Sequence, residues 1–294
     1  MKRILVLGGT RFFGKKLVQL LIEDGHRVTI ATRGKTPNPF GEKVEQILID
    51  RTNKEALKKA VADREWDIVY DNICYSSNEA FAACEIFKGK TKKYVFTSTL
   101  STYEVNGKEK TEEDFNPYTY EVRMGNIEDF TYGEGKRQAE AVFFQHAKFP
   151  VVAVRFPIVL GEDDYTKRLH LHIERVAVGE VISFVNMDAR MSYILSDDAA
   201  GFLKFAGLSA IEGPYNATSS GTYSLQQLID MIEKAVGKRA KIALVGDKTS
   251  LSPFAVPADW YMTQAKSIEA GFTCKPLEDW LPALIEKIAQ DIID

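Results

Sequence analysis

The chain is poor in the residues that staple or metallate small proteins. It has three cysteines in 294 residues, Cys74, Cys84 and Cys274. They are odd in number, far apart and without metal-type spacing, so free thiols in a reducing cytoplasm are expected. Four histidines are present, and only His170 and His172 stand close together, with no cysteine or acidic cluster beside them. No metal site is expected from that pattern. Positive charge is not in excess: 38 Lys and Arg face 41 Asp and Glu, net −3. That removes the electrostatic case for binding nucleic acid or an anionic membrane surface. No apolar run approaches a membrane span. The first strand is expected within a few residues of Met1, so no signal peptide and a cytoplasmic location are expected. There is no internal repeat and no low-complexity segment. Apolar content of 45% and charged content of 27% suit one large domain or two.

Against this background the first fourteen residues stand out. Ile4-Leu5-Val6-Leu7 has no polar face, as expected for a strand covered on both sides. Gly8-Gly9-Thr10-Arg11-Phe12-Phe13-Gly14 follows at once, and Lys15 to Glu23 carries a helical apolar stripe. Strand, glycine turn and helix form the first half of a dinucleotide-binding βαβ unit, with the helix N-terminus offered to a pyrophosphate. Gly8 and Gly14 frame a G-x-x-G-x-x-G spacing whose middle place is Arg11. A turn that serves packing alone is the plainer alternative.

Further strands are expected at His26–Ala31, Val44–Ile49, Trp66–Asp71, Tyr94–Thr99 and Val151–Phe156, each apolar throughout. Helices are expected at 53–62, 79–87 and 133–148. That alternation predicts a doubly wound α/β domain, a Rossmann fold over residues 1–160. Beyond Gly161 the elements become mixed, with amphipathic helices at 225–236 and 277–292. Residues 161–294 are therefore expected to form mostly a smaller C-terminal substrate-binding domain, with the chain returning to the sheet near 186–212.

The end of strand two reads Thr32-Arg33-Gly34, where an NAD enzyme would place an acid against the ribose 2′-hydroxyl. Arg33, and Arg11 reaching the same place, would instead pair with a 2′-phosphate. NADP is the expected cofactor and NAD the alternative; ordinary surface arginines are the plainer reading. Tyr132 and Lys136 lie one helical turn apart on one face. They open the helix after the Thr97-Ser98-Thr99 strand end, at the carboxyl edge where open α/β sheets bind ligands.

Here the chain resembles the short-chain dehydrogenase/reductase superfamily, in its extended, epimerase/dehydratase-like branch. The likeness rests on the Gly8–Gly14 turn, Asp50 after strand three, Phe96 to Tyr103, Tyr132-x-x-x-Lys136 followed by Glu140, and Arg155 to Gly161. It continues through Arg190 to Ala200 and Tyr215-Asn216-Ala217. The resemblance implies that Tyr132 is the acid/base and that Thr99 holds the reacting oxygen. It implies that Lys136 lowers the tyrosine pKa and binds the nicotinamide ribose. Gly8, Thr10, Arg11, Phe12, Phe13 and Gly14 would form the cofactor turn. Asp50 and Arg51 would flank the adenine, and Pro157 and Ile158 would lie beside the nicotinamide. Departures are Arg11 at the middle glycine, Thr32 at the acidic selector, and Leu195 at a place that is polar in sugar-nucleotide enzymes.

The expected function is an NAD(P)-dependent epimerase, dehydratase or reductase acting on a nucleotide-sugar or another hydroxylated small molecule. Lys167, Arg168 and Arg190 are candidate phosphate contacts. The alternative is a catalytically silent dinucleotide-binding or RNA-interacting protein on the same fold; the Gly-Gly-Thr-Arg-Phe turn also looks like a subgroup with chloroplast RNA-binding members. A homodimer is expected through the helices after strands four and five, with Phe81, Phe87, Phe143 and Phe144 as apolar contacts.

Overall fold

The computed structural model describes residues 1–244 and 249–293. Strands β1 (Arg3–Leu7), β2 (Arg27–Thr32), β3 (Glu45–Leu48), β4 (Ile68–Asp71), β5 (Tyr94–Thr99) and β6 (Val151–Phe156) alternate with helices α1 (Phe12–Glu23), α2 (Lys54–Ala60), α3 (Ser77–Phe87) and α4 (Tyr132–His146). The chain then leaves through β7 (Ile158–Leu160), α5 (Arg168–Val178), β8 (Val181–Phe184), β9 (Arg190–Met191) and β10 (Tyr193–Leu195). It returns with α6 (Ser196–Leu208) and β11 (Gly213–Asn216), and leaves again with β12 (Tyr223–Ser224), α7 (Leu225–Val236), β13 (Lys241–Leu244), α8 (Ala265–Glu269) and α9 (Leu281–Ile293).

Seven strands form one parallel sheet in the order β11-β6-β5-β4-β1-β2-β3. The order reverses at β1, so the carboxyl ends of β1 and β4 open a crevice for a ligand. Successive side chains of one strand feed opposite cores. Ile4 and Val6 pack with α1 and α6, whereas Leu5 and Leu7 pack with Val69, Phe87 and Phe96 on the other face. A third core holds Leu169, Ile173, Phe184, Leu228, Trp280 and Ile285 from the elements outside the sheet.

Several boundaries differ from expectation for physical reasons. The third strand is only four residues long and lies at the open edge; Leu48 is 67% exposed there, so this strand is not apolar throughout. Trp66 pairs with Thr91 in an isolated bridge outside β4. The first helix begins at Phe12, inside the glycine turn. The return to the sheet runs on to Asn216, past the 186–212 expected, because β11 adds at the edge beside β6. Phe272 and Cys274 also pack into the α1–α6 core. Among the proposed dimer contacts, Phe87 and Phe143 are wholly buried within the chain. Only Phe81, against His146, and Phe144, against Tyr118, keep partial exposure.

Two residues of the quoted motifs serve the fold. Arg155 on β6 and Glu140 on α4 form a fully buried ion pair at 2.6 Å, and the Ser98 hydroxyl donates to the same carboxylate. Arg155 also donates to the carbonyls of Glu112 and Phe115 and to the Tyr103 hydroxyl. The pair thus ties the long 106–129 loop to the sheet. Removing one partner of a buried pair leaves an uncompensated charge. Glu140→Ala is expected to lower stability by about 3–5 kcal/mol, read by urea unfolding; a loss within ordinary surface-mutation scatter would contradict this role.

Candidate active site

The carboxyl ends of β1, β2, β4 and β5, the start of α4 and loops of the third core enclose one cleft of about 970 Å³. Every residue assigned from the sequence to catalysis or cofactor lines it: Gly8, Thr10, Arg11, Phe12, Phe13, Gly14, Arg33, Asp50, Arg51, Thr99, Tyr132, Lys136, Pro157 and Ile158. Lining is not contact, and the side chains differ in where they are committed.

The glycine turn is built for close approach. Gly9 has φ +99°, and a Cβ there would stand 2.9 Å from Val18 and 3.1 Å from Val6. Strand and helix therefore meet through bare backbone. Arg11 caps α1 in an extended conformation, while Phe12 takes φ +50°. The Arg11 side chain leaves the turn and donates from Nε to the Thr36 hydroxyl at 2.7 Å. Next to the turn, Asn72 accepts from the Thr97 hydroxyl at 2.8 Å, but its buried Nδ2 has no partner among the described residues. Nδ2 lies 3.4 Å from where a Cβ on Gly14 would be. A cradle without side chains, a helix N-terminus and an orphaned donor fit a pyrophosphate.

At the adenosine end Thr32 is buried and accepts from Gln46 and the Gly34 amide. Arg33 is exposed with no hydrogen bond or ion pair among the described residues. Asp50 is exposed and accepts from the Thr52 amide and hydroxyl. Those bonds, with Arg33 nearby, hold its carboxyl below the usual range. Arg51, expected beside the adenine, lines the cleft with a guanidinium that is committed elsewhere. Its guanidinium turns inward to Asp71 at 2.5 Å and to the Glu79 carbonyl, and Tyr94 donates to the same carboxylate. Only the edge of Arg51 is left to the cleft.

At the other end Thr131 caps α4, and Gly135 lets the helix close on the strand ends: a Cβ there would lie 2.4 Å from the Tyr75 carbonyl. Lys136 is buried and donates to the carbonyls of Cys74 at 2.7 Å and Thr97 at 2.8 Å. Its ammonium lies 4.4 Å from the Tyr75 ring centre and 4.8 Å from that of Phe96. Burial pushes its pKa down from 10.5 to about 8. Two of three ammonium donors are used, and the third suits a ribose hydroxyl. Tyr132 stands at the lip, 57% exposed, its ring 6.3 Å from that of Tyr75. Desolvation raises its pKa, and the Thr99 hydroxyl and Arg168 oppose that rise. The expectation that Lys136 lowers the phenol's pKa is thus not met; its charge is directed into the two carbonyls instead.

Sequence reasoning missed Asn72 and Tyr75, although both follow a strand's carboxyl end, where the sheet rule could have found them. It also missed Tyr165, in the segment after β7, and Met191, Val256 and Trp260 from the third core; their spacing carries no motif. Of the three candidate phosphate contacts only Arg168 lines the cleft. Arg190 is paired with Asp259 at 3.4 Å, and Lys167 is exposed outside it. No group of three or more potential metal ligands comes together among the described residues, and no described helix is long and apolar enough to cross a membrane.

Residues 4–80, which hold the turn and its crevice, match the model of the NAD dependent epimerase/dehydratase family. The chain is 25% identical over 221 residues to the chloroplast stem-loop binding protein of 41 kDa b of Arabidopsis thaliana, covering 70% of this chain and 55% of that protein. It is 23% identical over 276 residues to UDP-glucuronic acid decarboxylase 1 of Xenopus tropicalis, covering 84% of this chain and 63% of the other. The chain thus spans little more than half the length of these curated relatives. The solved UDP-glucuronic acid 4-epimerase of Bacillus cereus, in complex with UDP-glucuronic acid and NAD, has the same fold at TM-score 0.74. It is 20% identical, with 98% of this chain and 99% of that one covered.

The buried ammonium gives a pH test. Between pH 8 and 10.5 the unfolded chain holds this proton and the folded chain does not, so folded stability rises with pH across that window. The stability of wild type relative to Lys136→Met should therefore grow by about 3 kcal/mol between neutral pH and pH 10.5. Urea unfolding of both proteins across the window measures it; a constant difference would show that Lys136 keeps its ordinary pKa.

Proposed function

We propose that this chain is a member of the extended short-chain dehydrogenase/reductase superfamily, an NAD(P)-dependent enzyme of the epimerase, dehydratase or reductase type acting on a nucleotide-sugar or another hydroxylated small molecule. The observation that carries it is the shared cleft: Tyr132, Thr99 and Lys136 line the same space as the glycine turn. A bound nicotinamide would supply hydride acceptance and return. The Thr99 hydroxyl, at the β5 end, would hold the reacting oxygen of the substrate. As a phenolate Tyr132 would take the proton from a hydroxyl as it is oxidised, and as a phenol it would give one to a carbonyl as it is reduced. Its raised pKa keeps it protonated at rest, which suits the donor role. Lys136 would hold a ribose hydroxyl with its remaining donor. Pro157 and Ile158 would form the apolar wall beside the nicotinamide, and Arg168 would meet an anionic group of the substrate.

The cofactor we propose is NADP. Arg33 is exposed and uncommitted, no acid stands at the β2 end, and the Arg11 guanidinium is reached through Thr36. The NAD bound in the Bacillus cereus enzyme makes NAD the alternative. The same reading places the enzyme in the cytoplasm as a homodimer paired through α3 and α4, with Phe81 and Phe144 the apolar contacts left at that surface. The Arabidopsis relative's name supports a second reading, a stem-loop binder without turnover. The net charge of −3 weighs against it.

Tyr132→Phe is expected to reduce turnover by roughly 10²–10⁴-fold while leaving cofactor affinity nearly unchanged. Steady-state rates over a panel of nucleotide-sugars with either cofactor measure this, and an unchanged rate would remove Tyr132 from the mechanism. An absence of turnover by wild type, together with tight retention of an RNA stem-loop, would favour the second reading.

Arg33→Ala is expected to weaken NADP far more than NAD, the lost charge-assisted bond being worth up to about 1.5–3 kcal/mol before solvent screening. The wild-type preference should shrink as salt rises. Calorimetric titration of both cofactors reads it; equal losses would mean that Arg33 meets something other than a 2′-phosphate.

A further inference from the structure

The segment between β7 and α5 leads into the third core, yet its side chains attach to the glycine turn of the first. Tyr165 is 59% exposed, and its ring stands edge-on to Phe12 at 6.4 Å. The Arg11 guanidinium lies over the same ring, 5.5 Å from its centre. Asp163 pairs with Lys15 of α1 at 3.7 Å. Arg11 in turn holds Thr36, in the loop after β2. Arg11, Phe12, Thr36 and Tyr165 all line the cleft. One chain of contacts therefore joins three loops across its cofactor half.

Within this segment one residue is buried and those on either side of it are exposed. Asp164 is buried and accepts from the amide and hydroxyl of Thr166, and its own carbonyl accepts from the Lys167 amide. The contacts made by Tyr165 and Asp163 are solvent-exposed, of a kind that opens and closes readily. We propose that residues 162–166 form a latch, closed by Tyr165 onto Arg11 and Phe12, which a dinucleotide must open to enter or leave the cleft. The proposal rests on the dinucleotide reading above.

Stopped-flow measurement of NADPH and NADH binding and release, by nicotinamide fluorescence on the full chain, tests it. Tyr165→Ala should raise association and release together, each roughly fivefold or more, so that affinity changes less than either rate. Tyr165→Phe keeps the ring and should stay near wild type. In the protein without cofactor, amide exchange over residues 161–167 should be faster in Tyr165→Ala than in wild type. Faster release alone, with affinity falling in proportion, would make Tyr165 an ordinary binding contact and overturn the latch. Unchanged rates in a wild type that binds dinucleotide would overturn the latch only. Failure of wild type to bind either dinucleotide would overturn the cofactor reading and the latch with it.

Discussion

A single buried ammonium holds the Tyr132 end of the cleft in register. Lys136 reaches from one turn into α4 to a carbonyl just after β4 and one near the end of β5, between two aromatic faces. Leaving either carbonyl without its donor inside the protein would be costly, and so would leaving the ammonium without them. The helix start, two strand ends and the Tyr75 loop are therefore adjusted to one another. Tyr132 inherits its position at the lip from that arrangement. The close approach allowed by Gly135 is what brings the helix near enough for Lys136 to make both bonds.

Much of this was legible in the sequence because it is local. A strand without a polar face, a glycine turn and a helical stripe specify a βαβ unit within two dozen residues. Tyr132 and Lys136 share a face by helical spacing alone. What was not legible depends on partners distant in sequence. Arg51 turns inward because Asp71, twenty residues on, sits at the end of β4, with β1 and β2 between it and the edge strand β3 that Arg51 follows. Glu140 and Arg155 read as parts of a motif, and only packing shows that they neutralise each other under the 106–129 loop. The direction of the Lys136 ammonium is set by two carbonyls, and carbonyls leave no mark in a residue string. Tyr165 and Trp260 reach the cleft from a region where no periodicity announces a site.

The electrostatics of the cleft divide along its length. The end of the cleft that holds Arg33 is open, and Arg33, without an ion pair among the described residues, is exposed to solvent and salt. At the other end Lys136 is buried and Tyr132 stands at the lip; desolvation raises the tyrosine's pKa and lowers the lysine's, so both drift toward their neutral forms. Discrimination between cofactors would thus reside at one end of the site and proton handling at the other. The two properties can change independently.

The path of the chain also limits how this architecture could be rearranged. It leaves the sheet after β6, comes back for α6 and β11, and leaves again before β12. Phe202, Leu203 and Ala206 of α6 complete the core over β1 and α1, although they follow much of the cleft's far wall in sequence. A break near residue 160 would strip the sheet of an edge strand and a covering helix. The two halves are therefore not interchangeable modules. A new far wall must be acquired by substitution or loop insertion inside an unbroken chain, and an insertion between β6 and β11 is held at both ends by strands of the sheet.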